Sequence, residues 1–188
     1  MHFTGTVYRN PYWPTWPLLE ITQGCTHNKC KFCTMYKEIP FRMSPMEWIE
    51  EDLQELAKMD PDARTIQLLS ANPLVLSYHK LAPIFEMIHK HLPKMEYIYL
   101  AGRVTDLKNK TVEELRKLKE LGMREISLGV ESGDDWTLDR IHKGYHAEDV
   151  LEQCHKLEEA GIDYWMTFLN GVAGKSHSRE HAVNSAKI

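Results

Sequence analysis

Cysteine is scarce in this chain, four residues in 188, and no apolar leader segment accompanies it. That excludes a disulfide-stapled extracellular scaffold, which needs dense cysteine because it has little core. Long apolar runs are absent as well, so no segment reads as a membrane span. Charge of either sign is nearly balanced: 23 Lys and Arg against 27 Asp and Glu leave −4, which gives no reason to expect nucleic acid or an anionic membrane as partner. Internal repeats and low-complexity stretches are missing, which points to one domain. Histidine is plentiful at ten residues, but none shows ligand spacing; His89 and His91, at i and i+2 on a helix, point apart. Glycine is missing where one motif would need it. Gly171-Val172-Ala173-Gly174-Lys175-Ser176 mimics the end of a phosphate-binding P-loop, yet Leu169 stands where glycine must let backbone amides wrap phosphates. A nucleotide triphosphatase is therefore disfavoured.

What remains is an ordinary globular composition, 43% hydrophobic and 27% charged, with one extraordinary run. Cys25, Cys30 and Cys33 lie within nine residues as C-x4-C-x2-C, directly after the apolar stretch Leu18-Leu19-Glu20-Ile21-Thr22. Thiolates spaced this tightly can converge on one soft metal centre. Zinc accepts Cys3His, and His27 lies inside the loop, but zinc sites more usually pair two short knuckles and only Cys30–Cys33 is one. A plant-type ferredoxin needs a fourth cysteine moderately downstream. The sole candidate, Cys154, falls with Val150 and Leu157 on the apolar stripe of a helix and reads as a core residue. A three-thiolate cluster with one iron left free fits best; a zinc-stabilised binding module and an iron–sulfur electron carrier stand as alternatives. Free, metal-poised thiols place the chain in a reducing cytoplasm.

Strand-like and helix-like patterns alternate along the rest. Strands are expected at Leu18 to Thr22, Thr65 to Ser70, Tyr97 to Ala101, Glu125 to Val130 and Asp163 to Leu169. Between them, Met46, Ile49, Leu53 and Leu56 mark one helix face; Leu81, Ile84, Ile88 and Leu92 a second; Leu115, Leu118 and Leu121 a third. Ser44-Pro45-Met46-Glu47 and Thr111-Val112-Glu113-Glu114 read as capping boxes, Gly122 and Gly161 as stops. The alternation predicts an α/β fold, a partial TIM-type (β/α) barrel with parallel strands. Active sites in such sheets lie at the carboxyl ends of the strands, where the cysteine loop emerges.

The run Thr22-Gln23-Gly24-Cys25 through Cys33, with aromatic Phe32 before the last cysteine, resembles the cluster loop of radical S-adenosylmethionine (SAM) enzymes. Those usually carry C-x3-C-x2-C; this chain has one extra residue. Gly129-Val130-Glu131-Ser132-Gly133 with Lys143-Gly144 is similar to the fourth-strand signature of the branch that includes oxygen-independent coproporphyrinogen oxidases. The resemblance implies a [4Fe–4S] cluster on Cys25, Cys30 and Cys33, with SAM chelating the fourth iron and its reductive cleavage yielding a 5′-deoxyadenosyl radical that abstracts hydrogen from a substrate. It implies a ribose contact for Glu131, within a signature that includes Ser132, and a cation at Lys143 for the methionyl carboxylate. The segment Ser70, Ala71, Asn72 takes the place of a glycine-rich segment with only a backbone role carried over; Gly171 lies where backbone passes the adenine, and Thr167 aligns loosely with a polar contact nearby. Phe32, with Met35, would shield the cluster. Arg103, just past a strand end, is the best substrate- or cofactor-facing residue among Tyr36, Arg103, Tyr164 and Trp165.

An external one-electron donor of flavodoxin or ferredoxin type is implied as partner, and the substrate is unknown. Residues 1–17, rich in Pro and Trp, read as an extended lead-in across the outside or bottom of the barrel, and residues 18–188 as the core domain. The family core has six strand–helix units against five strands here, so an open edge and an unfinished side of the barrel are expected.

Overall fold

The computed structural model describes residues 1–188. In chain order the elements are β1 Leu18–Leu19, β2 Thr22–Gln23, β3 Arg42–Met43, α1 Met46–Met59, β4 Thr65–Leu68, α2 Tyr78–His91, β5 Tyr97–Gly102, α3 Val112–Glu120, β6 Glu125–Glu131, α4 Asp135–Arg140, α5 Ala147–Ala160, β7 Asp163–Phe168 and α6 Ser178–Ser185. Short 3-10 turns occupy Pro73–Val75, Val104–Leu107 and Lys175–His177. Five strands form one parallel sheet in the order β1-β4-β5-β6-β7. Each strand neighbours the next in sequence, as expected when helical crossovers separate them. The outer side of β7 pairs with no strand, and its residues alternate between exposed and half-buried. This is the open edge expected of a partial barrel.

Strand pleating divides the sheet into two faces. Ile66, Leu68, Ile98, Leu100, Ile126, Leu128 and Val130 point one way and are almost wholly buried. They pack with Ile49 and Leu53 of α1, Leu81, Ile84, Phe85 and Ile88 of α2, Leu115 and Leu118 of α3 and Val150 and Leu157 of α5 in one continuous apolar cluster. Cys154 belongs to that cluster, far from the other cysteines in role: a small core side chain on α5.

The opposite, concave face carries Tyr97, Tyr99, Ser127, Trp165 and Thr167. The N-terminal segment lies against it. Trp13 stacks near Tyr99, with ring centroids 4.5 Å apart, and Trp16 meets Tyr97 edge-on at 5.3 Å. The Asn10 side-chain amide donates to the Tyr99 hydroxyl at 3.1 Å, and its backbone N–H donates to Gln67 Oε1 at 3.2 Å. The lead-in was expected across the outside or bottom of the barrel; its contacts with Tyr97, Tyr99 and Gln67 lie on the concave face, so the outside position is corrected. Aromatic rings on both sides, Trp13 and Trp16 against Tyr97, Tyr99 and Trp165, give the segment a surface to pack on there.

The caps differ in how they were read. Thr111 Oγ1 accepts from the Glu114 backbone N–H and Glu114 returns a bond to the Thr111 N–H, so that box is built. The Ser44 box is not: Pro45 is the N-cap of α1 and no side chain caps it. Proline has no N–H and fixed φ, so it bounds the helix by itself. Two elements have no counterpart in the sequence reading. The antiparallel ladder β2–β3, with Thr22 opposite Met43, ties off the cysteine loop at its base. Helix α4 is capped by Asp134, whose carboxylate accepts from the Thr137 N–H and hydroxyl.

Candidate functional site

The cysteine loop leaves β2 through Gly24, whose φ of +70° and contact with the opposite strand connection explain the residue. A Cβ there would stand 2.7 Å from the Ile39 carbonyl oxygen. All three loop cysteines are free and partly exposed. Asn28, midway between Cys25 and Cys30, adopts a left-handed φ of 47° that asparagine tolerates. Its side-chain amide donates to the Tyr36 carbonyl at 2.7 Å and its backbone N–H to Cys25 Sγ at 3.5 Å. The additional residue of the C-x4-C spacing is thus taken up by a left-handed turn. Lys37 Nζ closes the loop from below by donating to the carbonyls of Asn28 and Cys30 at 2.9 and 3.0 Å.

Two bonds lash the loop to the segment after α4. The Lys31 N–H donates to the Ile141 carbonyl at 3.0 Å, and His27 Nε2 lies 2.6 Å from the His142 carbonyl. Lys143 follows immediately. It is not a solvated helix-end lysine: 4% of it is exposed, and its Nζ pairs with Glu131 Oε1 at 3.2 Å. Glu131 sits in a β-bulge, where the β6–β7 register shifts, with φ of +70°. A non-glycine residue held in that region carries strain that the surroundings must impose. Tyr145 helps impose it, its hydroxyl donating to the Gly129 carbonyl at 2.7 Å.

The electrostatics converge on Cys30. Burial pushes its thiol up, the Lys143 and Arg103 cations pull it back, and Cys25 and Cys33 add repulsion. No group of three His, Cys, Asp or Glu side chains is gathered as a single-ion site. His27, the zinc alternative's fourth ligand, has its Nε2 engaged by the His142 carbonyl, and burial is the main reason its ring resists protonation.

The remaining candidates fall into three groups. Asn72 and Arg103 are joined to Glu131 and Lys143 by a run of hydrogen bonds. Asn72 is wholly buried and bonds Thr26 of the cysteine loop; Arg103 donates to the Lys143 carbonyl and lies 5.7 Å over the Tyr145 ring, with its Nε buried and unpartnered. Phe32 and Gly171 meet across a cleft of about 650 Å³, lined also by Lys31, Arg140, Ile141, Leu169, Asn170 and Val172. Phe32 is 38% exposed there and Met35 42%, so both face outward in the protein alone. No atom approaches within 4 Å of where a Cβ on Gly171 would stand, which leaves its backbone open to the cleft.

The third group is turned to other tasks. Ser132 is buried and bonds His181 Nδ1 at 2.8 Å, seating α6 on the turn after β6. Ser70 holds φ of 92° and gives its hydroxyl to the Gly24 carbonyl at 3.0 Å, with Ala71 half-buried beside it. Thr167 is exposed on the concave face of β7, its hydroxyl 3.4 Å from the Leu128 carbonyl. Of the aromatic candidates, Tyr36 is buried, Tyr164 bonds Glu158 on the helix side, and Trp165 lies against Tyr12 and Trp13. Asp106 and Tyr145 escaped the sequence reading. The Arg103-to-Asp106 spacing, an acidic residue four after the end of β5, was the available signal for the first.

A half-barrel of parallel strands with a three-cysteine loop at its carboxyl edge defines a class of metallocluster-binding α/β protein. The Radical SAM superfamily profile matches residues 19–187, and the chain belongs to that superfamily. Members generally use a [4Fe–4S] cluster and SAM, which they cleave reductively to a 5′-deoxyadenosyl radical. The chain is 25% identical over 169 residues to the heme chaperone HemW of Bacillus subtilis, covering 86% of this chain and 44% of that protein. It is 28% identical over 142 residues to a tRNA-2-methylthio-N(6)-dimethylallyladenosine synthase of Chloroherpeton thalassium, covering 72% and 30%. Among solved folds, coproporphyrinogen III oxidase from Escherichia coli superposes with a TM-score of 0.63 at 13% identity, covering 94% of this chain and 42% of that one. The enzyme anSMEcpe with bound AdoMet gives 0.67 at 14%, covering 93% and 46%. The chain thus spans less than half the length of these relatives.

The residues present suit the superfamily's cluster. A cubane takes one thiolate per iron corner, so its ligands need not meet at one point. Three free thiols with two adjacent cations form a donor set for a negatively charged cluster.

Proposed function

We propose that residues 18–188 are the SAM-cleaving core of a radical SAM enzyme, with residues 1–17 as its lead-in, and that Cys25, Cys30 and Cys33 hold its [4Fe–4S] cluster. One observation carries the reading: three free thiols on one loop at the carboxyl edge, beside Arg103 and the buried Lys143–Glu131 pair. When bound, the cluster and SAM supply the one-electron cleavage and the radical that abstracts hydrogen from substrate.

The chain's own residues bind, orient and exclude water. Lys143 and Arg103 offset the charge gathered at the thiolates, and Lys143 is the point charge for a carboxylate. Glu131 accepts from a ribose hydroxyl as well as from Lys143. Phe32 and the open backbone at Gly171 form opposite walls for a flat ring in the cleft. Ser70 and Ala71 offer backbone carbonyls, Thr167 a hydroxyl. Asn72 and Ser132 act indirectly, the first on the cysteine loop and the second on the turn that follows Glu131. An external one-electron donor of flavodoxin or ferredoxin type, in a reducing cytoplasm, completes the system; no substrate is assigned.

Anaerobically reconstituted protein should be brown, hold about four irons, and release methionine and 5′-deoxyadenosine from SAM under a strong reductant. Replacing any of Cys25, Cys30 or Cys33 by alanine should abolish both iron retention and cleavage, while Cys154→Ala should keep them. A colourless protein with one tightly held zinc would overturn the reading.

A further inference from the structure

Between the cysteine loop and the Lys143–Glu131 pair lies a buried polar side chain to which no role has been given. Asp106, in the turn Val104–Leu107 after β5, is 3% exposed. Its Oδ2 accepts from the Arg103 backbone N–H at 2.8 Å and from Asn72 Nδ2 at 3.1 Å. The same Asn72 amide donates to Thr26 Oγ1 at 2.7 Å, and its Oδ1 accepts from the Thr26 N–H at 3.3 Å. Thr26 adjoins Cys25. On the other side Arg103 donates to the Lys143 carbonyl, and Lys143 pairs with Glu131. One run of bonds therefore joins the ends of β2, β4, β5 and β6, with a single carboxylate at its centre.

We propose that Asp106 is a positioning residue, acting through Asn72 on the Cys25–Thr26 turn and through Arg103 on Lys143, so that cluster ligand and cation hold a fixed relation. A purely local role would need only the bond from the Arg103 N–H to one carboxylate oxygen, which caps the turn. The longer reach to Asn72 adds a second buried polar side chain where apolar packing would stabilise the fold at least as well. Networks of this kind specify one arrangement of the groups they join. Burial works against the ionised carboxyl, and the Asn72 and Arg103 hydrogen bonds oppose that effect. The neighbouring Lys110, whose Nζ donates to the Asp106 carbonyl at 3.1 Å, adds a positive charge.

The inference rests on the proposed function for its purpose, but its first test does not. Amide hydrogen exchange on the metal-free full chain should separate the two arms. Asn72→Ala should speed exchange in residues 24–30 about tenfold and leave residues 142–145 unchanged. Asp106→Asn should loosen both segments, while amides of α2 and α3 keep their protection. Equal protection in all three proteins, or a uniform loss that includes α2 and α3, would overturn the proposal and leave Asp106 as a local cap. In iron-loaded protein Asp106→Asn should raise KM for SAM about tenfold with kcat within about twofold. A pure kcat loss with unchanged KM would also overturn it. Were the chain to bind zinc instead, the exchange result would stand and only the kinetic arm would lose its meaning.

Discussion

The two faces of the parallel sheet obey different rules. Toward the helices, Ile98 and Leu100 of β5 and Ile126 and Leu128 of β6 are fully buried among aliphatic neighbours, with no polar atom to satisfy. Toward the concave side, the intervening positions hold Tyr97, Tyr99, Ser127, Glu131, Trp165 and Thr167, half of them wet and many hydrogen-bonded. The same strands thus supply apolar area on one side and chemistry on the other. The backbone follows suit. Left-handed non-glycine residues occur at Asn28, Ser70, Glu131 and His142, all at the carboxyl edge around the cysteine loop. Strain gathers where groups must be aimed, and regular geometry where area must be buried.

The largest effect that would sharpen this contrast comes from truncating the helix side. Leu100→Ala should lower unfolding free energy by about 2–5 kcal/mol, since it leaves a cavity in a close-packed cluster. Thr167→Ala on the concave face should stay within about 0.5 kcal/mol. Denaturant titration of both variants reads the difference. Equal losses would mean that the concave face stabilises the fold as much as the core does.

What could be read from the sequence divides along the same line. The helix-side face was legible because its residues repeat at fixed periods: Ile49, Leu53, Leu56 on α1 and Leu81, Ile84, Ile88 on α2 emerged as buried, and four strands shifted by only a residue or two, while the first, expected over Leu18 to Thr22, stops at Leu19. The cysteine loop was legible because thiol spacing is rare. The network of Asn72, Asp106 and Arg103 was not, because its other bonds join residues 34 to 46 apart along the chain and only the Arg103–Asp106 step is local. Lys143 was expected as a cation from the resemblance alone; its ion pair was not legible, because only the fold brings Glu131 to its head group. The lead-in could be placed only as outside or bottom, because aromatic residues carry no direction until the sheet exists.

Next in size is a pH effect within the carboxyl edge itself, where Lys110 is 2% exposed yet cationic. Burial pushes its ammonium down from 10.5 to about 8, against the pull of Asp106. The unfolded chain then holds this proton up to the ordinary lysine range while the folded chain releases it near pH 8. Between those limits the unfolded state binds more protons, so stability should rise with pH, and below the window the burial cost is full and constant. Relative to Lys110→Met, the wild type should gain on the order of 3 kcal/mol across that window. Its bonds to the Leu74 and Asp106 carbonyls favour the ammonium and so narrow the window without changing the sign of the slope. Parallel curves would show that the buried edge tolerates charge as freely as the surface.

The smallest effect tests the N-terminal segment. Trp13 touches Tyr99, Trp16 and Trp165 but is only partly buried, and its backbone is tied down by the Asn10 bonds to Gln67 and Tyr99. If the concave face is a surface that the segment covers and not a second core, Trp13→Ala should lose mainly the aromatic contacts. That amounts to about 1 kcal/mol, well short of the Leu100→Ala loss. Quenching of Trp165 fluorescence by acrylamide should rise in the variant, because its neighbours Tyr12 and Trp13 shield one side of the ring. A loss as large as that of Leu100→Ala, with unchanged quenching, would show that the segment and the sheet fold as one unit. The sheet would then have two cores instead of a core and a working face.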